Sequence, residues 1–158
     1  MGVRRKGRIL AFQSLYAYEL CAESVQRAAE DQGGQSTPGV REGIDDILNF
    51  PWIDEAGRNK INQESLDFGR LIAGGTLENI AEIDDHIKVQ LEHWDFSRLN
   101  KVDQAILRMS VYSLLFQPDI PASVTIDEAV DISKEFGTDE SYRFINGVLD
   151  GIRKNLEP

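Results

Sequence analysis

The sequence predicts an all-α fold of about six or seven helices. Three observations predict it. Apolar residues between Glu64 and Trp94 recur at intervals of three, four or seven. Helix-start signals stand at Asn100 and at Thr125-Ile126-Asp127-Glu128. The one β-like run, Ala122–Ile126, is short and has no candidate partner strand.

Residues 8–21, RILAFQSLYAYELC, form the first predicted helix. Ile9, Phe12 and Tyr16 lie on one stripe, widened by Leu15 and Tyr18. Arg4, Arg5, Lys6 and Arg8 stand in and just before its first turn, where the helix dipole favours anions. Cations there cost the fold a little, which points to a role outside it. Residues 33–43, GGQSTPGVREG, read as a loop. A short helix from Ile44 to about Phe50 must stop near Pro51. Residues 53–63 are polar and read as irregular.

The run from Glu64 to Trp94 carries Leu66, Ala73, Leu77, Ile80, Ile83, Ile87, Leu91 and Trp94 at helical spacing. Gly74-Gly75 interrupts it, at about 1 kcal/mol per glycine. A close crossing by another helix is the favoured reason, a kink the alternative. Asn100 caps a helix running to about Phe116, with Asp103 placed favourably in its first turn. VDQAILRMSVYSLLF is apolar on nearly all sides, which predicts the central buried helix. Pro118 and Pro121 end it. A capping box at Thr125 starts the next helix, which runs to Phe136 and is capped by Gly137. The last helix, about Asp139 to Asn155, turns Tyr142, Ile145, Val148, Leu149 and Ile152 inward.

The chain has 158 residues, 41% hydrophobic and 28% charged, a globular composition. Its one cysteine, Cys21, excludes an intramolecular disulfide and cysteine-clustered zinc. No apolar run approaches the roughly 18 residues of a membrane span, and no signal-peptide pattern is visible. A soluble, cytoplasmic protein is expected. The net charge of -10 argues on average against nucleic acid. The average hides a split: residues 1–10 hold four cations and no acid. A basic arm on an acidic body calls for a partner.

Catalytic constellations are absent from the pattern. His86 and His93 lie two helical turns apart, too far to share one metal. Cys21 has no basic activator nearby and reads as a buried apolar residue. Gly33-Gly34 and Gly74-Gly75 lack the Lys-Ser/Thr of a phosphate loop. Asp84-Asp85 reads as a solvated helix face. No catalytic residue, metal or cofactor is therefore predicted.

FGTDESYRFINGVLD, residues 136–150, is different. Helical phase puts Glu140, Arg143 and Phe144 together, away from the inward stripe. An exposed Phe beside an Arg makes a stacking platform for unpaired RNA. Phe144 packed on a neighbouring helix, with Glu140–Arg143 as a weak surface pair, is the alternative, and periodicity alone favours it.

Three blocks together carry a resemblance: RRKGRILAFQSLYAYEL, LNKVDQAILRMSVYSLLF and IPASVTIDEAVDISKEFGTDESYRFINGVLD. With them the sequence resembles the NusB family of bacterial transcription antitermination factors. The resemblance spans nearly the whole chain, except about residues 22–62. It implies one NusB-like RNA-binding domain over residues 1–158, with 33–62 a variable loop and short helix. It also implies two three-helix bundles packed across each other. The implied activity is binding of boxA RNA together with NusE, a small-subunit ribosomal protein. That pair joins the RNA polymerase elongation complex with other Nus factors, chiefly on ribosomal RNA operons, and no reaction is catalysed. Some members also form homodimers.

Residue by residue, the family's arginine-rich motif falls on Arg4, Arg5, Lys6 and Arg8. Its RNA-contacting acid, base and aromatic fall on Glu140, Arg143 and Phe144, with Asp139 a neighbour able to share the acidic role. Its NusE contacts fall on Tyr16 and Asp103. Lys6 stands where Arg is frequent, and offers a point charge without a bidentate fork. Gly7 is expected to loosen the first turn. Four cations on single-stranded phosphates predict a salt slope near -3, from about -0.7 each. Two other readings are a helical interaction module without RNA binding, and an RNA-binding domain related to that of ribosomal RNA cytosine methyltransferases.

Overall fold

The computed structural model describes residues 2–31, 40–92 and 95–157. Eight α-helices lie among them: α1 (Val3–Asp31), α2 (Val40–Ile47), α3 (Glu55–Asn59), α4 (Gln63–Glu78), α5 (Ile80–Leu91), α6 (Lys101–Phe116), α7 (Ala122–Phe136) and α8 (Ser141–Leu156). A 3₁₀ turn at Phe96–Arg98 precedes α6, and no strand forms among the described residues. Most of the expected 33–43 loop, with Gly33-Gly34, His93 and Trp94, lies outside the described residues.

A helix apolar on every side has to be surrounded, and α6 is. Every residue from Asp103 to Ser113 is buried. The Asn100 side chain accepts from the Asp103 backbone N–H at 2.8 Å, the expected cap. The helices α2 and α4 pack on α1, and α5, α7 and α8 gather round α6. Because α6 also touches α1 and α4, it belongs to both groups. The main core joins Ile9, Phe12 and Leu15 of α1 to Ile106, Leu107 and Val111 of α6 and to Ile145 and Leu149 of α8. A smaller cluster, Leu10, Phe50 and Leu66, sits under the segment after α2.

Several expectations change. The short helix after the expected loop starts at Val40, inside residues 33–43, and not at Ile44. The first helix starts at Val3, not Arg8, and runs to Asp31, not Cys21. Its start is held by the Ser65 hydroxyl donating to the Val3 carbonyl at 2.8 Å. Its extension contains no Gly or Pro and is rich in helix formers, although the apolar stripe has ended. Residues 53–63 are not irregular: Asp54 caps α3 by accepting from the Gly57 N–H at 2.7 Å. The 64–94 run breaks at Asn79, whose amide donates back to the Gly75 carbonyl at 2.9 Å and turns the chain.

Thr125 does not cap α7. That helix starts three residues earlier, at Ala122 after Pro121, whose ring fixes φ at -56°. Gly137 does end α7, but with φ -92°, so left-handed freedom is not why glycine stands there. An added Cβ would lie 2.6 Å from the Ser141 hydroxyl and 2.7 Å from the Ser133 carbonyl. The inner face of α8 is as expected at Ile145, Val148, Leu149 and Ile152, with Tyr142 half-buried.

Gly74-Gly75 resolves in favour of the close crossing. α4 runs through both without a break. A Cβ on Gly75 would sit 2.4 Å from the Tyr112 ring of α6, whereas one on Gly74 would meet only Leu48 at 3.9 Å. Gly75→Ala is therefore expected to destabilise by about 1–3 kcal/mol. Gly74→Ala should be neutral or stabilising by up to about 1 kcal/mol. Urea melts of the two variants check this; equal effects would contradict the crossing.

Candidate nucleic-acid interface

The basic arm is helical, so its four cations point in different directions. Residues four apart share a face, which pairs Arg4 with Arg8. Both guanidiniums lie over the Phe68 ring of α4, at 5.5 and 5.4 Å from its centroid. Arg4 is exposed, whereas Arg8 is 5% exposed. Burial, and then the repulsion of Arg4 and Arg5, pull the Arg8 guanidinium below its ordinary range, against the pull of Glu128 4.0 Å away. Arg5 turns to α7. Its Nε and Nη2 donate to the two Glu128 oxygens at 3.0 and 3.1 Å, and Nη2 donates to Asp131 at 2.8 Å. Hydrogen bonds from Glu128 first, then Asp131, hold Arg5 above its ordinary range. Lys6 is half-buried, and among the described residues no carboxylate pairs with Lys6 or Arg4.

Gly7 does not loosen this turn. Its backbone is pressed against α4, where a Cβ would lie 2.8 Å from the Phe68 ring and 3.0 Å from the Ser65 carbonyl. Gly69 on α4 makes the reciprocal approach: a Cβ there would lie 3.0 Å from the Gly7 carbonyl. The two glycines let α1 and α4 close enough for Phe68 to slide under Arg4 and Arg8. Phe68 was not legible as a site residue: a Phe in an amphipathic helix looks like core.

At the other end of α7 the C-terminal trio divides. Arg143 is exposed and folds back on its neighbour, its Nε donating to the Tyr142 hydroxyl at 2.9 Å. Lys134 stands over the same Tyr142 ring at 5.2 Å. Glu140 and Phe144 instead line a cleft of about 190 Å³ with Leu99, Asp103, Thr138 and Ser141. Phe144 is half-buried and touches the core, between the two arrangements expected for it. Asp139 is exposed beside Glu140 and does not line the cleft.

Asp103 is 7% exposed, and its Oδ1 has no hydrogen-bond partner. Burial raises its carboxyl above the ordinary value, against a Ser141 hydrogen bond that lowers it. One residue earlier, Val102 lines a separate apolar groove of about 390 Å³ with Phe12, Gln13, Tyr16, Ala17, Leu20, Trp52 and Phe136. Tyr16, read from its stripe as inward, is 37% exposed there. Leu20 was legible as the residue one turn beyond Tyr16. Trp52 and Phe136 were not, because only the fold brings them to α1.

Asp84 is not solvated: both its oxygens accept from Arg108 at 2.9 Å. Cys21 is half-buried and free. Among the described residues no group of three His, Cys, Asp or Glu is placed to hold a metal ion. No described helix is long and apolar enough to cross a membrane.

A raised acid is stable protonated and costs stability once ionised. That cost enters as pH rises through the ordinary carboxylate value, about 4, to the higher folded value. Asp103→Asn should therefore melt higher than the parent at pH 7, with the gap closing below about pH 4. Melting curves across that range check the sign.

The NusB family model matches residues 5–154. The transcription antitermination protein NusB of Treponema pallidum (strain Nichols) is 48% identical over 153 residues, covering 96% of this chain and 93% of that protein. The NusB structure from T. maritima superposes with a TM-score of 0.73 at 34% identity, covering 98% of this chain and 93% of that one. A structure of antitermination factors NusB and NusE in complex with dsRNA gives a TM-score of 0.69 at 23% identity, covering 97% of each chain, which shows the shared fold. With a matching all-helical architecture and family likeness over nearly its full length, this chain belongs to the NusB family.

Proposed function

We propose that the chain acts in transcription antitermination, as one RNA-binding domain in the cytoplasm. It binds single-stranded boxA RNA together with a NusE-type ribosomal protein and joins the RNA polymerase elongation complex. Binding, not catalysis, is its role. Relatives of this chain carry the name transcription antitermination protein, and a fold neighbour is held with NusE and dsRNA.

The observation that carries this reading is the first turn of α6. Val102 lines the Tyr16 groove, and Asp103, its neighbour, lines the Phe144 cleft. A protein-partner face at Tyr16 and an RNA face at Glu140 and Phe144 then meet across two adjacent residues. Asp103 stands at their junction, which suits its assignment to the partner side. Each ligand ordering that turn favours the other, a coupling that is reciprocal by thermodynamic necessity. The acidic body attracts a basic ribosomal protein and repels RNA elsewhere.

Phosphate attraction falls to Arg4, Lys6 and Arg143. Arg8, buried over the Phe68 ring, braces the arm. The arm's anchor at Glu128 and the end of α7 at Phe136 lie about 12 Å apart along that helix, at 1.5 Å per residue, and α8 starts beyond that end. A strand rather than one base is needed to touch both.

Three accessible cations lower the expected salt slope from about -3 to about -2. Arg4→Ala with Lys6→Ala should flatten it by about 1.4 without changing the melting temperature. Arg8→Ala should lower the melting temperature instead. Phe144→Ala should weaken boxA binding by about 1–3 kcal/mol, the worth of a stacked base. Fluorescence titrations over a salt series, with and without NusE, measure all of these. If NusE does not raise boxA affinity, the proposal fails.

A further inference from the structure

We propose that Glu128 and Asp131 of α7 are positioning residues for RNA binding: they withdraw Arg5 from the phosphate-binding arm and turn the strand away from α7. The inference rests on the RNA-binding reading above and says which side of α1 the strand uses.

Three contacts carry it. Glu128 grips the Arg5 fork through both oxygens, and Asp131 takes a second hydrogen from Nη2. A phosphate reaching Arg5 has to replace that bidentate grip, and bidentate pairs are the strong ones. Two carboxylates also face one guanidinium whose side chain is 37% exposed. Arg8, the other cation near Glu128, is buried. From solvent this side of α1 is therefore anionic. The opposite case is Arg4, exposed over an uncharged ring with no acid paired to it among the described residues. The strand is steered to that side.

The grip is also exposed enough to be opened. Ion pairs of this kind bias a side chain and do not lock it. Removing the acids should hand Arg5 to the RNA without dismantling the core.

The test uses the full chain and single-stranded boxA RNA, with affinity measured over a salt series. Glu128→Gln with Asp131→Asn should steepen the slope by about 0.7, one added phosphate contact, which at 0.1 M salt is about five-fold tighter binding. Arg5→Ala alone should leave the parent slope unchanged. Adding Arg5→Ala to the double variant should abolish the gain. Asp127→Asn, an exposed acid on the same helix without an arginine, is the charge control and should leave the slope unchanged.

The inference is overturned if Arg5→Ala flattens the parent slope, since Arg5 then already holds a phosphate. It is also overturned if the folded double variant keeps the parent slope, or if Asp127→Asn steepens the slope equally. Should the double variant not fold, the Arg5→Ala slope decides alone. A parent chain that binds no RNA with or without NusE overturns the RNA reading itself, a result distinct from an unchanged slope.

Discussion

Arg108 is the charge around which the helices are joined. A guanidinium inside a protein is tolerable only where its donors are met. Here Nε and Nη2 donate to Asp84 of α5 at 2.9 Å each, and Nη1 donates to Glu19 of α1 at 2.8 Å. Its Cζ lies 5.0 Å from the centroid of the Phe96 ring, in the turn before α6. Burial works against the charged form, but Asp84 and then Glu19 outweigh it and hold the group above its ordinary range. Lys101 adds ion pairs to Glu19 and Glu23 of α1. One side chain thus registers three helices from both halves of the fold. That registration sets the first turn of α6, where the groove and the cleft meet.

The same logic sorts the arm. Four cations within five consecutive residues separate by about 100° per residue once the segment is helical. Phe68 takes two of them, the α7 carboxylates take a third, and Lys6 has no acid partner among the described residues. The acids on α7 also answer the dipole problem posed by cations at a helix start, because carboxylates now stand beside that positive end. An arm that looks like four equal phosphate contacts is a graded set: one guanidinium presented, one braced, one withheld, and a lysine.

Much of the fold was legible because it follows from local rules. Asn100 caps α6 because its carbonyl oxygen meets an orphan N–H of the first turn. The inner face of α8 follows from helical periodicity. The burial of α6 follows from its lack of a polar face. Local signals failed where competing ones were stronger. Thr125 and Glu128 have the spacing of a capping box, but Pro121 starts the helix first, and Glu128 is then free to reach Arg5. Asp84 and Asp85 look alike in sequence; only the first meets a buried arginine.

The sequence by itself determined the helical class, the central helix, the split between a cationic end and an anionic body, and the family. These depend on periodicity, composition and residue identity in order, which need no neighbours in space. Tertiary structure alone decided which cations are available, that Glu140 and Phe144 share a cleft with Asp103 while Arg143 does not, and that Trp52 and Phe136 meet Tyr16. The physical reason is that a side chain's charge is usable only after its partners are counted. Those partners lie on other helices, up to 126 residues away in the case of Arg5 and Asp131.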